Sequence, residues 1–380
     1  MTGLTIVADE NIPALEDYFG DLLEGGGRLE RVNGRTLGRD QLARADILLV
    51  RSVTPVNEDL LADTPVRFVG SCTIGTDHLD TAWLDRQGIA WSAAPGCNAN
   101  SVVEYVFCAL AALAIDWRGR SFGIVGCGNV GGLLQRRLRE LEIPCAVYDP
   151  WLPDNPDAAD LQTVLQQDVI CLHAPLVKDG PHPSLHMVGA EQLAHIKDGA
   201  VLISAGRGAV VDNAALLELL QKRKRFSTVL DVWENEPAID TRLLELVDIG
   251  TPHIAGYSMD GKLAGTRMIR DALESSEIIS SPLPRGEGLG ERERRRSRRN
   301  AELELGAPRG SFADLLLQMY DPRNDDHRLR AAADGEIPMA RAFDQLRREY
   351  PRRLEFSHFS LADDALDAAE RRQLAILGLK

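Results

Sequence analysis

Three side chains in the middle of the chain are of the types that oxidation of a secondary alcohol calls for. They are Arg207 in SAGRGAVVD, Glu236 in DVWENEP and His253 in TPHIAGYS. Taking hydride from such an alcohol leaves a hydroxyl proton to be removed, and a neutral imidazole titrates near working pH. A carboxylate paired to that imidazole fixes its tautomer and supports its positive charge. A guanidinium clamps a substrate carboxylate through two parallel hydrogen bonds and polarises the adjacent oxygen. Taken singly, each residue also has a plainer reading: Arg207 as a loop residue facing phosphate, Glu236 as a helix cap, His253 as a structural hydrogen-bonder.

The hydride needs an acceptor, and the stretch Ser121–Pro150 offers a place for one. A short apolar run, Phe122-Gly123-Ile124-Val125, leads straight into Gly126-x-Gly128-x-x-Gly131. Behind it Val130, Leu133, Leu134, Leu138 and Leu141 recur at helical spacing, and a second strand, Ala146-Val147-Tyr148, ends on Asp149. Glycines permit the tight turn and the close approach of a pyrophosphate, whose charge meets the free N–H groups of the helix start. Asp149, 18 residues past Gly131, stands where an acid accepts from ribose hydroxyls. A carboxylate there repels a 2′-phosphate, so NAD is expected over NADP.

The elements that must position these groups follow from alternation. Residues 1 to about 95 alternate short strands (5–8, 47–50, 67–70) with helical stretches, an α/β unit with a parallel sheet. Asn100 is placed to cap an almost wholly apolar helix through Val102, Val106 and Leu110, a buried connector between domains. Strands at 122–125, 145–148, 168–172, 200–203 and 227–231 suit a doubly wound sheet, whose ligands gather outside the strand C-termini. His173, Arg207, Asp231 and Glu234–Pro237 all fall just past strand ends. Ser/Pro- and Arg-rich composition marks 276–300 as a linker or disordered insertion, and 301–380 regains apolar residues as a small third unit.

The order of motifs resembles that of the D-isomer-specific 2-hydroxy acid dehydrogenases over residues 4–270. It runs glycine loop, Asp149, HAPL (173–176), GRG (206–208), DVWENEP (231–237), PHIAG (252–256). In that family the Arg, Glu and His at these positions are catalytic, which assigns Arg207, Glu236 and His253. A narrower match within the family rests on VADENIP (7–13), VRSVTPVNEDLL (50–61), FVGSCTIGTDHLD (68–80), APGCNA (94–99), LVKDGPHPSLH (176–186) and GTPHIAGYSMDGK (250–262). It continues through MYDPRNDDHRLR (319–330) and FDQLRREY (343–350).

The resemblance implies a Rossmann-type NAD-binding domain at 96–255 and a flavodoxin-like substrate (lid) domain at 1–95, completed by about 256–275. A small α+β domain at 301–380 is expected to join two chains in a homodimer; the stretch around 275–300 departs from the pattern. The substrate is expected to be a small phosphorylated hydroxy acid, contacted by Ser52, Thr73 and Tyr257. NAD would be lined by Gly126, Gly128, Asn129, Val130, Gly131, Asp149, Ala205, Gly206, Arg207, Asp231 and Gly256. Alternatives are a dehydrogenase for another hydroxy acid, such as 3-phosphoglycerate, or a non-catalytic NAD-sensing regulator on the same fold.

Arg51 reads equally as facing a phosphate or as a surface ion-pair residue. His78 and His173 read as structural hydrogen-bonders. His182 and His186, four apart, sit in a Pro/Gly-rich polar loop with no carboxylate or cysteine cluster beside them. No metal is expected, because Arg207 and His253 supply the polarisation. A net charge of −14 argues against nucleic acid as a partner. The six cysteines show no CxxC and read as buried thiols. With no secretory signal in MTGLTIVADENIP and an apolar run of 11 residues at most (105–115), the expectation is a cytoplasmic protein with no membrane partner.

Overall fold

A computed structural model describes residues 3–222, 225–276, 278–279, 303–305, 311–361 and 366–379. The expected 276–300 linker lies almost wholly outside them. Contacts divide the chain into two compact units, Met1–Asn98 with Ser258–Ala301, and Ala99–Tyr257 with Glu302–Lys380.

The first unit is a five-stranded parallel sheet, β1 (Thr5–Asp9), β2 (Arg28–Val32), β3 (Ile47–Val50), β4 (Phe68–Ser71) and β5 (Ala90–Ser92), ordered β2-β1-β3-β4-β5. β3 and β4 are buried throughout, so β3 reads as an unbroken apolar run and β4 as one up to its closing Ser71. β2, RLERV, is an exposed edge, and β5 is a three-residue edge, so neither carries the apolar signal of its neighbours. The helix Met259–Ser275 packs Ile269 and Leu273 into this unit's core.

The second unit holds a six-stranded parallel sheet: β6 (Phe122–Val125), β7 (Cys145–Tyr148), β8 (Val169–Leu172), β9 (Val201–Ser204), β10 (Ser227–Leu230) and β11 (Ile249–Gly250). Its order, β11-β10-β9-β8-β6-β7, reverses at β6, the switch point of a doubly wound sheet. The five strands expected from sequence are joined by a sixth, β11, whose two residues are too few to carry a periodic signal.

Helix Ala99–Ala112 is buried along nearly its whole length within this unit. Asn100 does not cap it. Its side-chain amide donates instead to Glu104 (2.9 Å) and Glu355 (2.7 Å), and its oxygen accepts from Arg137. Glu104 is 1% exposed, and burial pushes its carboxyl up to about 8.

Residues 302–380 group with this unit because they share its core. Helix Phe312–Met319 packs on helix Ala99–Ala112, with Phe312 edge-on to Trp117 at 6.1 Å. Arg353 donates to the carbonyls of Ala255 (2.9 Å) and Ser101 (2.8 Å), and Asp326 accepts the Gly250 N–H (2.8 Å) at the end of β11. β12 (Leu303–Leu305) pairs in parallel with β13 (Phe359–Leu361). All six cysteines are free thiols. Among the described residues no helix is long and apolar enough to cross a membrane.

Candidate active site

β9, β10 and β11 are parallel neighbours, so the loops leaving their C-termini emerge along one edge of the sheet. Those loops carry Arg207, Glu236 and His253 in turn. Two glycines seat the Arg207 loop. A Cβ on Gly208 would collide with the backbone of Trp233, and one on Gly206 would meet the Ala174 carbonyl at 2.7 Å. Asn213 ties the same turn to the next loop, its Oδ1 accepting the Glu234 N–H at 3.1 Å. Arg207 is half-buried, and its Nη1 donates to the Gly206 carbonyl at 3.0 Å.

His253 Nδ1 lies 2.7 Å from Glu236 Oε2. The other carboxylate oxygen, Oε1, accepts the Trp233 N–H at 2.8 Å. Burial alone pushes the Glu236 carboxyl up, but the His253 charge and hydrogen bond, the Trp233 N–H and the Arg347 charge outweigh it, and the carboxyl sits below its ordinary value. With Nδ1 engaged, Nε2 is the ring atom left for a substrate proton.

The histidine is held in a left-handed backbone conformation (φ 57°), which a non-glycine residue keeps only when its surroundings over-determine it. Asp231 supplies that support. Its Oδ1 accepts from Thr251 Oγ1 (2.6 Å) and the Ile254 N–H (2.8 Å), its Oδ2 accepts the Ala255 N–H (3.0 Å), and its carbonyl accepts the His253 N–H (2.7 Å). Thr251 Oγ1 spends its proton on Asp231, so the buried Tyr105 hydroxyl, 2.8 Å away, donates to Thr251. Asp231, expected on the cofactor, is 1% exposed and anchors the His253 turn. Spacing in DVWENEP could not separate that anchor from Glu236, nor mark the Trp233 backbone as a partner of the carboxylate.

The glycine loop fits a dinucleotide. Gly126 has φ 83°, and a Cβ there would press on Ala174; a Cβ on Gly131 would strike the Gly126 carbonyl, so the turn closes only with glycine. Gly128, the N-cap of helix Asn129–Glu140, has open space where a side chain would stand and no side-chain cap on the helix N–H groups. Gly128 and Asn129 are exposed and Val130 half-buried, as an anion at the helix start requires. Asp149 accepts the Cys127 N–H (2.8 Å) through Oδ2 and the Trp151 N–H (3.0 Å) through Oδ1. One lone-pair site on each oxygen remains for ribose hydroxyls. Ala205 and Gly256 are both half-buried in the loops after β9 and β11.

His173 departs from expectation. Its two ring nitrogens are buried without a hydrogen-bond partner, the ring facing the Ala205 backbone in a geometry that makes no full bond. Burial lowers it to about 4, so it is neutral. Buried orphan nitrogens beside the glycine loop suit a site that completes its hydrogen bonds with a ligand.

In the first unit Thr73 Oγ1 bonds Ser71 Oγ (2.9 Å), which also meets His78 Nε2 (3.0 Å), so His78 is a structural hydrogen-bonder. Ser52 is exposed in a turn. Arg51 Nε lies 3.2 Å from Asp9, and with side-chain exposures of 17% and 1% this ion pair is a buried one, not a surface one. His186 is not paired with His182, which meets Trp151 edge-on. Packing brings it two carboxylates the sequence did not place beside it. Its Nε2 is 2.7 Å from Glu234, and with Asp212 these groups set three ligand-type atoms within 4.8 Å of one another.

A family model described as "D-isomer specific 2-hydroxyacid dehydrogenase, NAD binding domain" matches residues 108–255, and one described as a domain of unknown function (DUF3410) matches residues 298–378. The chain belongs to the D-isomer-specific 2-hydroxyacid dehydrogenases and is an NAD-dependent dehydrogenase. It is 48% identical to the erythronate-4-phosphate dehydrogenase of Cellvibrio japonicus, over 99% of this chain and 100% of that protein. It is 45% identical to the erythronate-4-phosphate dehydrogenase of Yersinia enterocolitica, over 99% and 98%. Its fold is similar to that of an NAD+-bound 3-phosphoglycerate dehydrogenase from Entamoeba histolytica (TM-score 0.61, 19% identity, 72% of this chain, 94% of that one). It is also similar to that of a D-lactate dehydrogenase from Aquifex aeolicus complexed with NAD and lactic acid (TM-score 0.59, 22% identity, 71% and 94%).

Proposed function

We propose that this chain oxidises 4-phospho-D-erythronate to 3-hydroxy-2-oxo-4-phosphooxybutanoate with NAD, a step in pyridoxal 5′-phosphate biosynthesis. The observation that carries the reading is the 2.7 Å Glu236–His253 pair on a turn anchored by Asp231. The name shared by relatives that match nearly the whole chain supports the substrate.

In this reading Arg207 grips the substrate carboxylate with its fork and polarises the oxygen on the reacting carbon. His253 Nε2 takes the hydroxyl proton, and Glu236 accepts from Nδ1–H, balancing the imidazolium as it forms. Bound NAD would supply the hydride acceptor, its nicotinamide C4. Ser52, Thr73 and Tyr257 contact substrate. Gly126, Gly128, Asn129, Val130, Gly131, Asp149, Ala205, Gly206, Arg207 and Gly256 line the cofactor, with Asp231 contributing through the turn it holds.

Absorbance at 340 nm with NAD and a panel of hydroxy acids tests the reading. A rise with 4-phosphoerythronate is expected; a flat trace with retained NADH binding points to a regulator, and preference for 3-phosphoglycerate to another substrate. We also read the chain as a cytoplasmic homodimer joined through residues 301–380, and a monomer mass in light scattering would refute the dimer.

A further inference from the structure

The C-terminal residues, matched by a family model of unknown function, send one side chain to this group. Arg347 lies near the end of helix Met339–Arg348, which is pinned by the fully buried Phe343. Its guanidinium carbon sits 5.6 Å from the centroid of the Tyr257 ring, and it hydrogen-bonds Tyr257 as well. Tyr350 meets the same ring edge-on, with centroids 5.7 Å apart at 86°, and its own hydroxyl is tied to Asp325 at 2.9 Å. Tyr257 is thus held by a cation and an aromatic edge that both come from the C-terminal segment.

Arg347 is not a surface cation. It is half-buried, and its Nε lies out of contact with solvent. The carboxylates of Glu236 and Asp344 act on its charge, and it is among the groups that keep Glu236 ionised. Among the described residues, Arg347 acts on Glu236 by its charge, and Asp231 and His253 act on each other.

We propose that Arg347 is a positioning residue of the active site, orienting Tyr257 through the contact its guanidinium makes with that ring. This deepens the dehydrogenase reading and rests on it. The C-terminal segment then belongs to the reaction machinery as well as to the core.

The sign of the effect is defined. Removing a cation beside the pair makes both the carboxylate and the imidazole easier to protonate, so the acid limb of kcat/KM moves to higher pH. The experiment is kcat/KM against pH for 4-phosphoerythronate oxidation by the full chain, for the unmutated protein, Arg347→Met and Arg347→Lys. Arg347→Met moves the limb up by roughly half a unit to one unit and raises KM about fivefold, the scale of one lost hydrogen bond. Arg347→Lys keeps the charge and the limb but not the flat contact with Tyr257, so KM stays raised. A limb and a KM that both stay put in the Met variant overturn the proposal. Should that variant fold poorly, an unchanged KM in Arg347→Lys overturns it alone. An inactive unmutated chain removes the functional reading itself; an active one with unmoved variants removes only this inference.

Discussion

Replacing Glu236 by Gln is the sharpest probe of the pair. The carboxylate accepts on both oxygens, from the Trp233 N–H at 2.8 Å and from the His253 ring at 2.7 Å. An amide can accept on only one. Turned with its NH2 toward Trp233, it leaves a buried N–H facing a donor, at about 1–3 kcal/mol. The favoured orientation therefore keeps the oxygen on Trp233 and points the NH2 at His253 Nδ1. That ring atom must then be an acceptor, which puts the proton on Nε2, where the base is needed bare. A hydrogen bond to a charged group is worth about 1.5–3 kcal/mol against about 1 for a neutral one. The imidazolium thus loses roughly 1–2 kcal/mol of support, about one pH unit at 1.36 kcal/mol per unit. The expected result is a kcat lowered by about 10²–10⁴-fold and an acid limb of the pH–rate profile moved to lower pH by about one unit, opposite in direction to Arg347→Met. Initial rates of NADH formation between pH 5 and 10 measure both. A kcat within twofold of the unmutated enzyme, on an unmoved limb, would return Glu236 to a purely structural role.

Three further predictions follow from the same geometry. Arg207→Lys keeps the charge but loses the two-pronged grip, so KM rises and kcat falls together; a change confined to one constant in steady-state kinetics would show that the guanidinium fork is not the grip. Asp149→Ala removes the acceptor at the end of β7 and the anchor of the Cys127 N–H, so the KM for NAD rises about tenfold or more and the gap to NADP narrows. Equal use of both cofactors by the unmutated enzyme would refute the assignment. Asp231→Asn keeps the Thr251 and Ile254 bonds at one oxygen but sets an NH2 against the Ala255 N–H. It costs about 2–4 kcal/mol of stability and lowers kcat by loosening the His253 turn; urea unfolding at unchanged midpoint would contradict that.

Much of the chemistry was legible in the chain itself. The glycine loop and Asp149 stand in one continuous strand–turn–helix–strand stretch, so the nucleotide reading was legible from spacing, although the close approach of Ala174 that also demands Gly126 was not. The α/β class followed from fully buried strands such as β3, β4 and β9, which read as apolar runs because both faces are covered, with a serine only at the C-terminal end of β4 and β9. Elements with one face or one edge in solvent left no such mark. β2 reads as a charged stretch, and β11, too short for any period, is nevertheless the strand that delivers His253.

Tertiary structure alone decided what pairs with what. Asp231, Trp233 and Glu236 crowd into one motif, yet only the turn folding back from β11 separates the anchor from the partner of the imidazole. Asn100 was placed to cap a helix by its position, but its side chain is engaged by Glu104 one turn on, and by Glu355 and Arg137, which arrive from elsewhere in the chain. His173 looked like an ordinary hydrogen-bonder, yet both its ring nitrogens are buried without a partner, and His186 gained two carboxylates from loops far along the sequence. Arg347 carried no signal, because a single arginine among several in LRREYPRR acquires meaning only when its helix docks beside Tyr257. Local sequence dictates backbone conformation through sterics and burial over a few residues. Contacts between distant residues depend on how whole elements pack, and no spacing along the chain encodes that.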